Sequence, residues 1–321
     1  MLASAMFISV IISAHDRKKY LMGAIKSVLD QTLDRKYYEV IVIKNFVESQ
    51  LDDFIDKNCE KKLYFENWPY NAEIMEALSY AKGEVICLLD DDDLFTREKL
   101  EYVFKLFSNR TNLVYYHHGS ILMDESGIIH NTNEKKDTEP DHNCSSIAIR
   151  KDLLQGVDWL DKTKFTLDSV LYYLALDSGR EVLTNEEKLS LYRIKRFKYN
   201  DLNELIDARR AYLERPECTL GILRMNVRKE STRLYIDNYL NSLRCTYYPM
   251  LALQGTKENV TITMIARFLL GKRFPGQRIN LNRLVISAGD MLSCIPINRI
   301  KKKLLFLFYR AIFTRLGQLS E

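Results

Sequence analysis

The chain is poor in glycine and proline, with 12 and 6 among its 321 residues, and neither is concentrated in a tract. No internal repeat or low-complexity segment is visible. The remaining composition, 46% hydrophobic and 28% charged, is ordinary for a folded protein with a large core. Wholesale disorder is therefore excluded, and the length suits one large domain with an appendage, or two domains.

Metal-binding cysteine motifs are also missing. No two of the six cysteines have the CxxC spacing or another metal-ligand spacing. They are interpreted as reduced thiols, buried or at the surface, in a reducing compartment. They are Cys59, Cys87, Cys144, Cys218, Cys245 and Cys294.

Long apolar runs do not occur. No stretch reaches about 18 apolar residues, so no helix is expected to span a bilayer by itself. The first residues, MLASAMFISVIISAH, lack a basic n-region and have a short apolar run. They are predicted as a buried strand rather than a secretory signal.

Charge is unevenly distributed along the chain. Residues 260–320 hold 11 Lys and Arg against one acid, Asp290, whereas residues 1–259 hold 36 basic and 41 acidic residues. An acidic body therefore carries a basic tail, which suggests an anionic partner for the tail.

Strand and helix patterns alternate over about the first 110 residues. The runs MFISVIISA, YYEVIVIKNF and EVICLLD predict strands buried on both faces, and KKLYFEN predicts another. Helices are predicted at LMGAIKSVLDQTL, ESQLDDFIDKNC and NAEIMEALSYAKG, the last closed by Gly83 at its C′ position. A fourth helix, TREKLEYVFKLFSN, is expected to be capped by Thr96. The alternation indicates an α/β fold with a parallel, doubly wound sheet.

The pattern changes after about residue 112. Several further strands and a helix ending at Gly179 would complete a mixed sheet flanked by helices. His117 and His118 close an apolar strand, where a strand role is favoured over metal ligation. From Asp201 onward, apolar and charged residues recur at helical spacing, which predicts an all-helical C-terminal domain. We therefore expect domains at residues 1–199 and 200–321.

Four consecutive aspartates follow the apolar strand in ICLLDDDDLF, residues 86–95. A solvated turn that caps the next helix would explain one or two of these carboxylates. All four stand where a parallel sheet binds ligands, at the carboxyl end of a strand, together with the loops SAHDR and IKNF. A hard divalent cation, Mn²⁺ or Mg²⁺, would neutralise the four aspartates. The aspartates would in turn hold that cation at the diphosphate of a nucleotide.

The segments ISVIISAHDRKKYLMGAIKSVLDQTL, YYEVIVIKNF and AKGEVICLLDDDDLF together resemble the opening of family 2 glycosyltransferases with the GT-A fold. That family has an Asp-x-Asp-Asp pattern, the DXD motif, after its fourth strand. The resemblance covers about residues 6–196 and implies an inverting transfer from a nucleotide-sugar, UDP- or GDP-linked. By position it implies that Asp90 contacts the nucleoside, that Asp92 binds the metal and that Asp93 supports the loop.

The resemblance also implies a general base. The family has an acidic pair at the start of a late helix, and in TLDSVLYYLALDSG the base position falls on Asp168, with Leu167 in place of the usual Glu. A base on the face opposite the leaving diphosphate is what inversion requires. An N-terminal helix carboxylate favoured by the helix dipole is the structural alternative. Asp161 is the nearest other acid considered for the base.

The expected donor pocket departs from the family pattern. Lys44 and Asn45 replace the usual Asp-Asp after strand two, His15-Asp16 replaces Tyr-Asn after strand one, and the Arg-Asn-x-Gly motif is absent. Asn45 could still pair with a uracil or guanine edge. A basic exit after the last strand could hold a diphosphate, or could be a solvated turn. The expected nucleotide-sugar ligands are Ser13, His15, Asn45, Asp90, Asp91, Arg193 and Lys195.

The tail INRIKKKLLFLFYRAIFTRL predicts an amphipathic helix at an anionic membrane interface. Packing on its own domain or a dimer contact is the alternative, and nucleic acid is disfavoured because no binding fold accompanies the charge. We therefore expect a peripheral protein at the cytoplasmic face, acting on a lipid-linked or membrane-proximal glycan acceptor. The predicted basic side is Lys301, Lys302, Arg310 and Arg315, and the predicted apolar side is Ile300, Leu304, Leu307, Phe308, Ala311 and Ile312.

Two rival functions were weighed. A sugar-phosphate nucleotidyltransferase needs a glycine-rich phosphate loop after strand one, and SAHDR contains no glycine. A catalytically degenerate glycosyltransferase fold that serves as a membrane-bound scaffold stays open because the donor pocket is altered. Nucleotide-sugar hydrolysis with Mn²⁺ would separate the scaffold from an enzyme.

Overall fold

The structure is a computed structural model, and its described residues are 6–66, 68–130, 143–163, 166–194, 201–251, 260–273 and 303–309, with 253, 275 and 277. The chain divides into two compact units, Met1–Lys195 and Arg196–Glu321. The predicted tail residues 300–302, 310–312 and 315 lie outside the described residues, as does Lys195.

Unit 1 contains nine strands and five α-helices in its described part. The strands are β1 Ile8–Ala14, β2 Tyr38–Lys44, β3 Lys61–Tyr64, β4 Val85–Asp90, β5 Leu94–Phe95, β6 Leu113–Met123, β7 Ile129–His130, β8 Ile147–Arg150 and β9 Glu181–Arg193. The helices are α1 Lys18–Leu29, α2 Ser49–Asn58, α3 Tyr70–Tyr80, α4 Lys99–Asn109 and α5 Leu167–Ser178. A short 3₁₀ helix, Cys144–Ser146, precedes β8.

The strands form one mixed sheet in the order β3-β2-β1-β4-β8-β6-β9-β5, with β7 paired to β6. The first four of these are parallel, and β8 is antiparallel to both of its neighbours. Every residue of β1 and β2 is buried, as the apolar runs predicted, because both faces of the parallel half are covered. The predicted mixed sheet flanked by helices is confirmed.

Helix α1 shows how the sequence pattern becomes packing. Its buried residues recur at helical spacing and line one side of the main core, which also contains the inward side chains of β1, β2 and β4. They are Leu21, Ala24, Ile25 and Val28. This packing holds the parallel strands in place. Their carboxyl ends therefore lie together at one edge of the sheet.

Two predicted helix boundaries are wrong. Helix α3 ends at Tyr80 with Ala81 as its cap, and Gly83 instead lies against β1, where an added Cβ would come within 2.4 Å of the Ser9 nitrogen. Helix α4 is preceded by Glu98 rather than capped by the Thr96 side chain. The predicted end of α5 is confirmed, because Gly179 caps it with φ 76° in the left-handed region.

The strand that follows α4, β6, is 11 residues long, and its pairing with β9 is irregular around Gly119. His117 and His118 lie in this strand and are buried.

The regular elements of unit 2 in its described part are all helices. It contains α6 Leu202–Asn226, α7 Glu230–Leu251, α8 Ile262–Leu270 and a helical stretch at 303–309. One hydrophobic cluster joins α6, α7 and this last stretch, which contributes Leu305 and Tyr309. Leu304 and Leu307 of the predicted apolar side are exposed, whereas Phe308 of that side is partly buried against the cluster. None of the described helices combines the length and apolarity that crossing a membrane requires.

Candidate active site

The four aspartates lie at the carboxyl end of β4, and their side chains alternate in burial. Asp91 and Asp93 are 0% and 1% exposed, whereas Asp92 is 8% exposed and Asp90 is partly exposed. Asp90 is therefore the most accessible of the four, and Asp92 keeps a small accessible fraction. The resemblance assigns Asp90 to the nucleoside and Asp92 to the metal, whereas Asp91, also expected as a donor ligand, is fully buried.

Arg17, in the loop between β1 and α1, supplies the countercharge for this cluster. Its Nη2 lies 2.5 Å from Asp91 Oδ1, its Nε donates to Asp91 Oδ2 at 3.2 Å, and its Nη1 lies 2.6 Å from Asp92 Oδ2. Burial raises the pKa of Asp91, and Arg17 opposes that rise. The carboxylate of Asp91 is thus engaged with Arg17 inside the protein, and its predicted contact with a nucleotide would have to run through that guanidinium.

Ser145, fully buried in the 3₁₀ helix before β8, holds the aspartate loop from below. Its Oγ accepts a hydrogen bond from the Asp90 nitrogen at 3.0 Å, and the same hydroxyl hydrogen-bonds the Asp93 carboxyl. Its carbonyl accepts a bond of 2.6 Å from the Nζ of Lys99, which is itself fully buried. One residue therefore fixes both ends of the aspartate run.

Arg193, at the end of β9, holds the same loop from the other side. Its main-chain nitrogen donates to Asp93 Oδ1 at 2.8 Å, its Nε donates to the Asp92 carbonyl at 2.8 Å, and its Nη1 donates to the Asp124 carbonyl at 2.8 Å. The guanidinium also lies over the Tyr20 ring at 4.2 Å. Two of its guanidinium nitrogens are engaged with main-chain carbonyls, so the predicted diphosphate contact would use the remaining hydrogen-bonding capacity of the guanidinium.

The loops after β1 and β2 are joined by a two-way hydrogen bond. The Asp16 nitrogen donates to Asn45 Oδ1 at 2.9 Å, and Asn45 Nδ2 donates to Asp16 Oδ1 at 3.0 Å. This pair supports Asp16 in a left-handed conformation with φ 58°. Both functional atoms of the Asn45 amide are thus engaged within the protein, so its predicted pairing with a base edge would use the remaining hydrogen-bonding capacity of that amide.

Three further predicted positions can be located. Lys44 is buried, and its Nζ forms an ion pair with Asp52 Oδ1 of α2 at 2.8 Å. Ser13 is 4% exposed, and its carbonyl accepts a bond from the Asp91 nitrogen at 3.1 Å.

His15 is exposed, and its Nδ1 lies 3.7 Å from Glu73 Oε1 of α3. Glu73 is 2% exposed, and burial raises the pKa of its carboxyl to about 7. A buried acid thus stands behind the exposed imidazole at the rim of the crevice.

Asp168 lies in the first turn of α5, directly after Thr166, whose φ of 62° is in the left-handed region. Its Oδ1 accepts a bond from the Ser169 nitrogen at 2.6 Å. The Cys144 thiol bonds both the Asp168 main chain and the Tyr70 hydroxyl. Burial, followed by the charges of Asp90 and Asp168, raises the pKa of Cys144.

Tyr70 connects the predicted base with the aspartate loop. Its hydroxyl lies 3.4 Å from Asp90 Oδ1 and also bonds Cys144, the neighbour of Asp168. Burial raises the pKa of Tyr70 well above its usual value, so the phenol stays protonated. The Tyr70 hydroxyl thus lies between Asp90 and the segment that carries Asp168.

Arg17, Tyr70 and Ser145 were missed in the sequence analysis. Arg17 belongs to the loop SAHDR that was expected at the crevice, and a lone cation there was the available signal. Tyr70 and Ser145 carry no signal in the sequence, since each acts through contacts with residues far along the chain.

The carboxylates were tested as ligands for a hard cation. Among the residues that the structure describes, no three His, Cys, Asp or Glu side chains converge as a complete metal site. Mg²⁺ and Mn²⁺ are commonly held by one or two carboxylates together with substrate phosphates. Asp90 and Asp92, the two least buried oxygen donors of the cluster, fit that kind of site.

Comparison with known protein sequences finds several relatives of this chain. An uncharacterized glycosyltransferase of Nostoc sp. is 26% identical over 215 residues, which cover 59% of this chain and 65% of that protein. Five other curated relatives are matched over 18% to 44% of their own lengths. The chain therefore spans less than two thirds of the length of the curated relatives it matches.

Solved structures share the fold. S. aureus TarS 1–349 in complex with UDP-GlcNAc superposes with a TM-score of 0.56 at 13% identity, covering 98% of this chain and 93% of that one. The mannosyltransferase PcManGT from Pyrobaculum calidifontis in complex with GDP-Man and Mn²⁺ superposes with a TM-score of 0.55 at 13% identity, covering 96% and 86%.

Residues 9–165, which run from within β1 past β8 and include the aspartate loop, match the model of glycosyl transferase family 2. The mixed sheet and the helical C-terminal region agree with the solved glycosyltransferase structures. The predicted family and the predicted GT-A fold are both confirmed. Residues 9–165 of this chain belong to the family 2 glycosyltransferases, and the chain has the GT-A fold.

Proposed function

We propose that this glycosyltransferase is metal-dependent and inverting, and that it moves a sugar from a UDP- or GDP-sugar to an acceptor hydroxyl. The observation that carries the proposal is the alternation of the aspartates. Asp90 is partly exposed and Asp92 keeps a small exposed fraction, 8%, at the carboxyl end of β4, and Tyr70 links Asp90 to the segment that carries Asp168. The site would then combine carboxylates that bind a cation with a separate carboxylate that accepts a proton.

The two kinds of carboxylate would do different work. Asp168 would accept the proton of the acceptor hydroxyl as that oxygen attacks the anomeric carbon and the bond to the diphosphate breaks. Asp92, with Asp90, would hold Mn²⁺ or Mg²⁺, which neutralises the charge that develops on the leaving diphosphate. Ser145 and Arg193 would keep these carboxylates in place, because both bind the main chain of the aspartate loop.

The comparisons support the donor class and the cation. One solved structure of the same fold is in complex with UDP-GlcNAc, and another with GDP-Man and Mn²⁺. Those ligands belong to the proteins named there. They favour nucleotide-sugars and a divalent cation as the first ligands to offer this chain.

The test is turnover of donor by the purified full chain. UDP- and GDP-sugars would be supplied with Mn²⁺, with Mg²⁺ or with EDTA, and release of the nucleoside diphosphate would be followed. Asp92→Asn should abolish the metal-dependent release, whereas Asp56→Asn, which changes an exposed carboxylate of α2, should not. Turnover that is equal with EDTA and in Asp92→Asn would overturn the metal role.

The proposed acceptor is lipid-linked or close to an anionic membrane surface at the cytoplasmic face. The support is the basic tail, in which residues 299–315 hold six basic residues and no acid. Within its described part, residues 303–309, Phe306 is 42% exposed and Leu307 is 54% exposed. Apolar and basic side chains exposed on one helix suit an anionic interface.

A further inference from the structure

A stacked aromatic pair lies in the connection between β3 and α3. The rings of Phe65 and Trp68 have centroids 4.7 Å apart and planes inclined by 28°. Trp68 is nevertheless 45% exposed. Phe65 thus supports one tryptophan whose ring surface still reaches solvent.

The neighbours of this pair place it at the crevice. The Phe65 nitrogen donates to the Lys44 carbonyl at 3.1 Å, so the pair begins at the carboxyl ends of β2 and β3, beside Asn45. Two residues after Trp68, the Tyr70 hydroxyl lies 3.4 Å from Asp90 Oδ1. Along the chain Trp68 therefore lies between Phe65, which bonds the carboxyl end of β2 beside Asn45, and Tyr70, which reaches the aspartate loop.

This arrangement matches the chemistry of a nucleobase. A purine or pyrimidine has a flat π-face that stacks on an aromatic ring and polar edges that hydrogen-bond. Stacking is available to every base, so it does not depend on the Asp-Asp pair that Lys44 and Asn45 replace in this chain. We propose that Trp68, supported by Phe65, is the platform on which the nucleobase of the donor stacks.

The inference rests on the proposed function, since it assigns part of the binding site for the donor. If the base stacks on Trp68, removing that ring should weaken the affinity of the chain for the nucleotide. A base that stacks on tryptophan loses the stacking energy when the ring is removed, and losses of that kind correspond to about 5- to 150-fold in Kd. The diphosphate end of the ligand would be unaffected.

The chain contains two tryptophans, Trp68 and Trp159, which makes Trp68 a usable reporter. In a Trp159→Phe protein the emission would come from Trp68 alone. UDP and GDP, added with Mn²⁺, should quench it saturably, because the stacked base contacts the indole. Inorganic pyrophosphate with Mn²⁺, which lacks a base, should not. Equal quenching by pyrophosphate, or nucleotide binding by calorimetry without any change in emission, would overturn the assignment.

Two variants complete the test by calorimetry. Trp68→Ala should weaken binding of UDP and GDP by about 5- to 150-fold, and Trp68→Phe should retain most of the affinity because it keeps a stacking ring. Tyr80→Ala is the matched control, since it removes an aromatic of similar exposure, 42%, from the far end of α3.

Unchanged Kd values in Trp68→Ala would refute the platform while leaving the proposed donor class intact. If the wild-type chain binds neither nucleotide, the proposed donor class and the platform both fail.

Discussion

Arg17 Nη1 lies 2.6 Å from Asp92 Oδ2, so the carboxylate proposed to bind a divalent cation is already paired with a cation of the chain. The same guanidinium holds the fully buried Asp91 by two further contacts. Four adjacent carboxylates are thus tolerated because a resident countercharge is present before any ligand arrives. Arg17 and a bound cation would share one task, the neutralisation of the aspartate loop.

This sharing predicts how an Arg17 variant responds to metal. Arg17→Gln leaves Asp91 buried without its ionic partner, so we expect the free energy of unfolding to fall by about 1–3 kcal/mol. Mn²⁺ should then raise the Tm of the variant more than that of the wild type, because the ion restores the missing positive charge. Thermal unfolding with and without Mn²⁺ measures both effects. Arg97→Gln, which breaks an exposed pair with Asp30, is the control, and identical Mn²⁺ responses in all three proteins would contradict the idea.

Ser145 predicts a positioning effect that can be separated from stability. Ser145→Ala removes the hydroxyl that accepts from the Asp90 nitrogen and bonds Asp93. We expect kcat/KM for the donor to fall about 10- to 100-fold, which corresponds to the roughly 1–3 kcal/mol of an unsatisfied buried group.

Ser146→Ala is a matched neighbour, because its hydroxyl bonds Ser120 and Ser190 rather than the aspartate loop. Binding of UDP and Mn²⁺ by calorimetry supplies a second readout. A loss of stability in both variants with no difference in donor affinity would assign Ser145 a structural role alone.

The predicted base gives the third expectation. Asp168→Asn preserves shape and can still accept from the Ser169 nitrogen, but it cannot take a proton at neutral pH. Loss of a general base costs about 10²–10⁴ in rate, and we expect kcat to fall in that range while donor affinity is retained. Single-turnover transfer with saturating donor is the measurement. Asp161→Asn is the comparison, and a larger loss there would move the base to that residue.

Glu73 predicts a dependence of stability on pH. Burial raises the pKa of its carboxyl from 4.5 to about 7, so the folded chain binds this proton more tightly than the unfolded chain. The free energy of unfolding should therefore decrease as the pH rises from about 4.5 to about 7, by up to about 3 kcal/mol from this residue. Glu73→Gln should flatten that slope and be the more stable protein at pH 8. Urea unfolding at several pH values in this range measures the effect, with Glu76→Gln of the same helix as control. If the free energy of unfolding changes with pH equally in the wild type and in Glu73→Gln, Glu73 is not the group responsible.

Local features of this fold are predictable from the sequence, whereas contacts between distant residues are not. Strands β1, β2 and β4 were predictable because an uninterrupted apolar run is characteristic of a strand buried on both faces. The place of the aspartates followed from the end of β4 alone. The role of Gly83 did not, since it depends on close approach to Ser9, and neither did the pairing of Arg17 with Asp92, 75 residues away.

The helix at 303–309 gives the last prediction, for which point substitutions are better suited than deletion. Leu305 and Tyr309 pack into the core of unit 2, so removing the tail would also disturb α6 and α7. Phe306→Ser with Leu307→Ser changes only exposed side chains and should weaken binding to anionic liposomes, because apolar burial is lost. Replacing Lys301, Lys302 and Lys303 by Gln should weaken liposome binding further, by about 1 kcal/mol for each charge, and this electrostatic part should disappear at high salt.

Co-sedimentation with anionic and with neutral liposomes measures the apolar and the electrostatic parts of the binding. Leu234→Ser, 52% exposed on α7, is the matched control. Equal, negligible sedimentation of the wild type and the tail variants would show that this helix serves packing within unit 2 or a contact between copies of the chain.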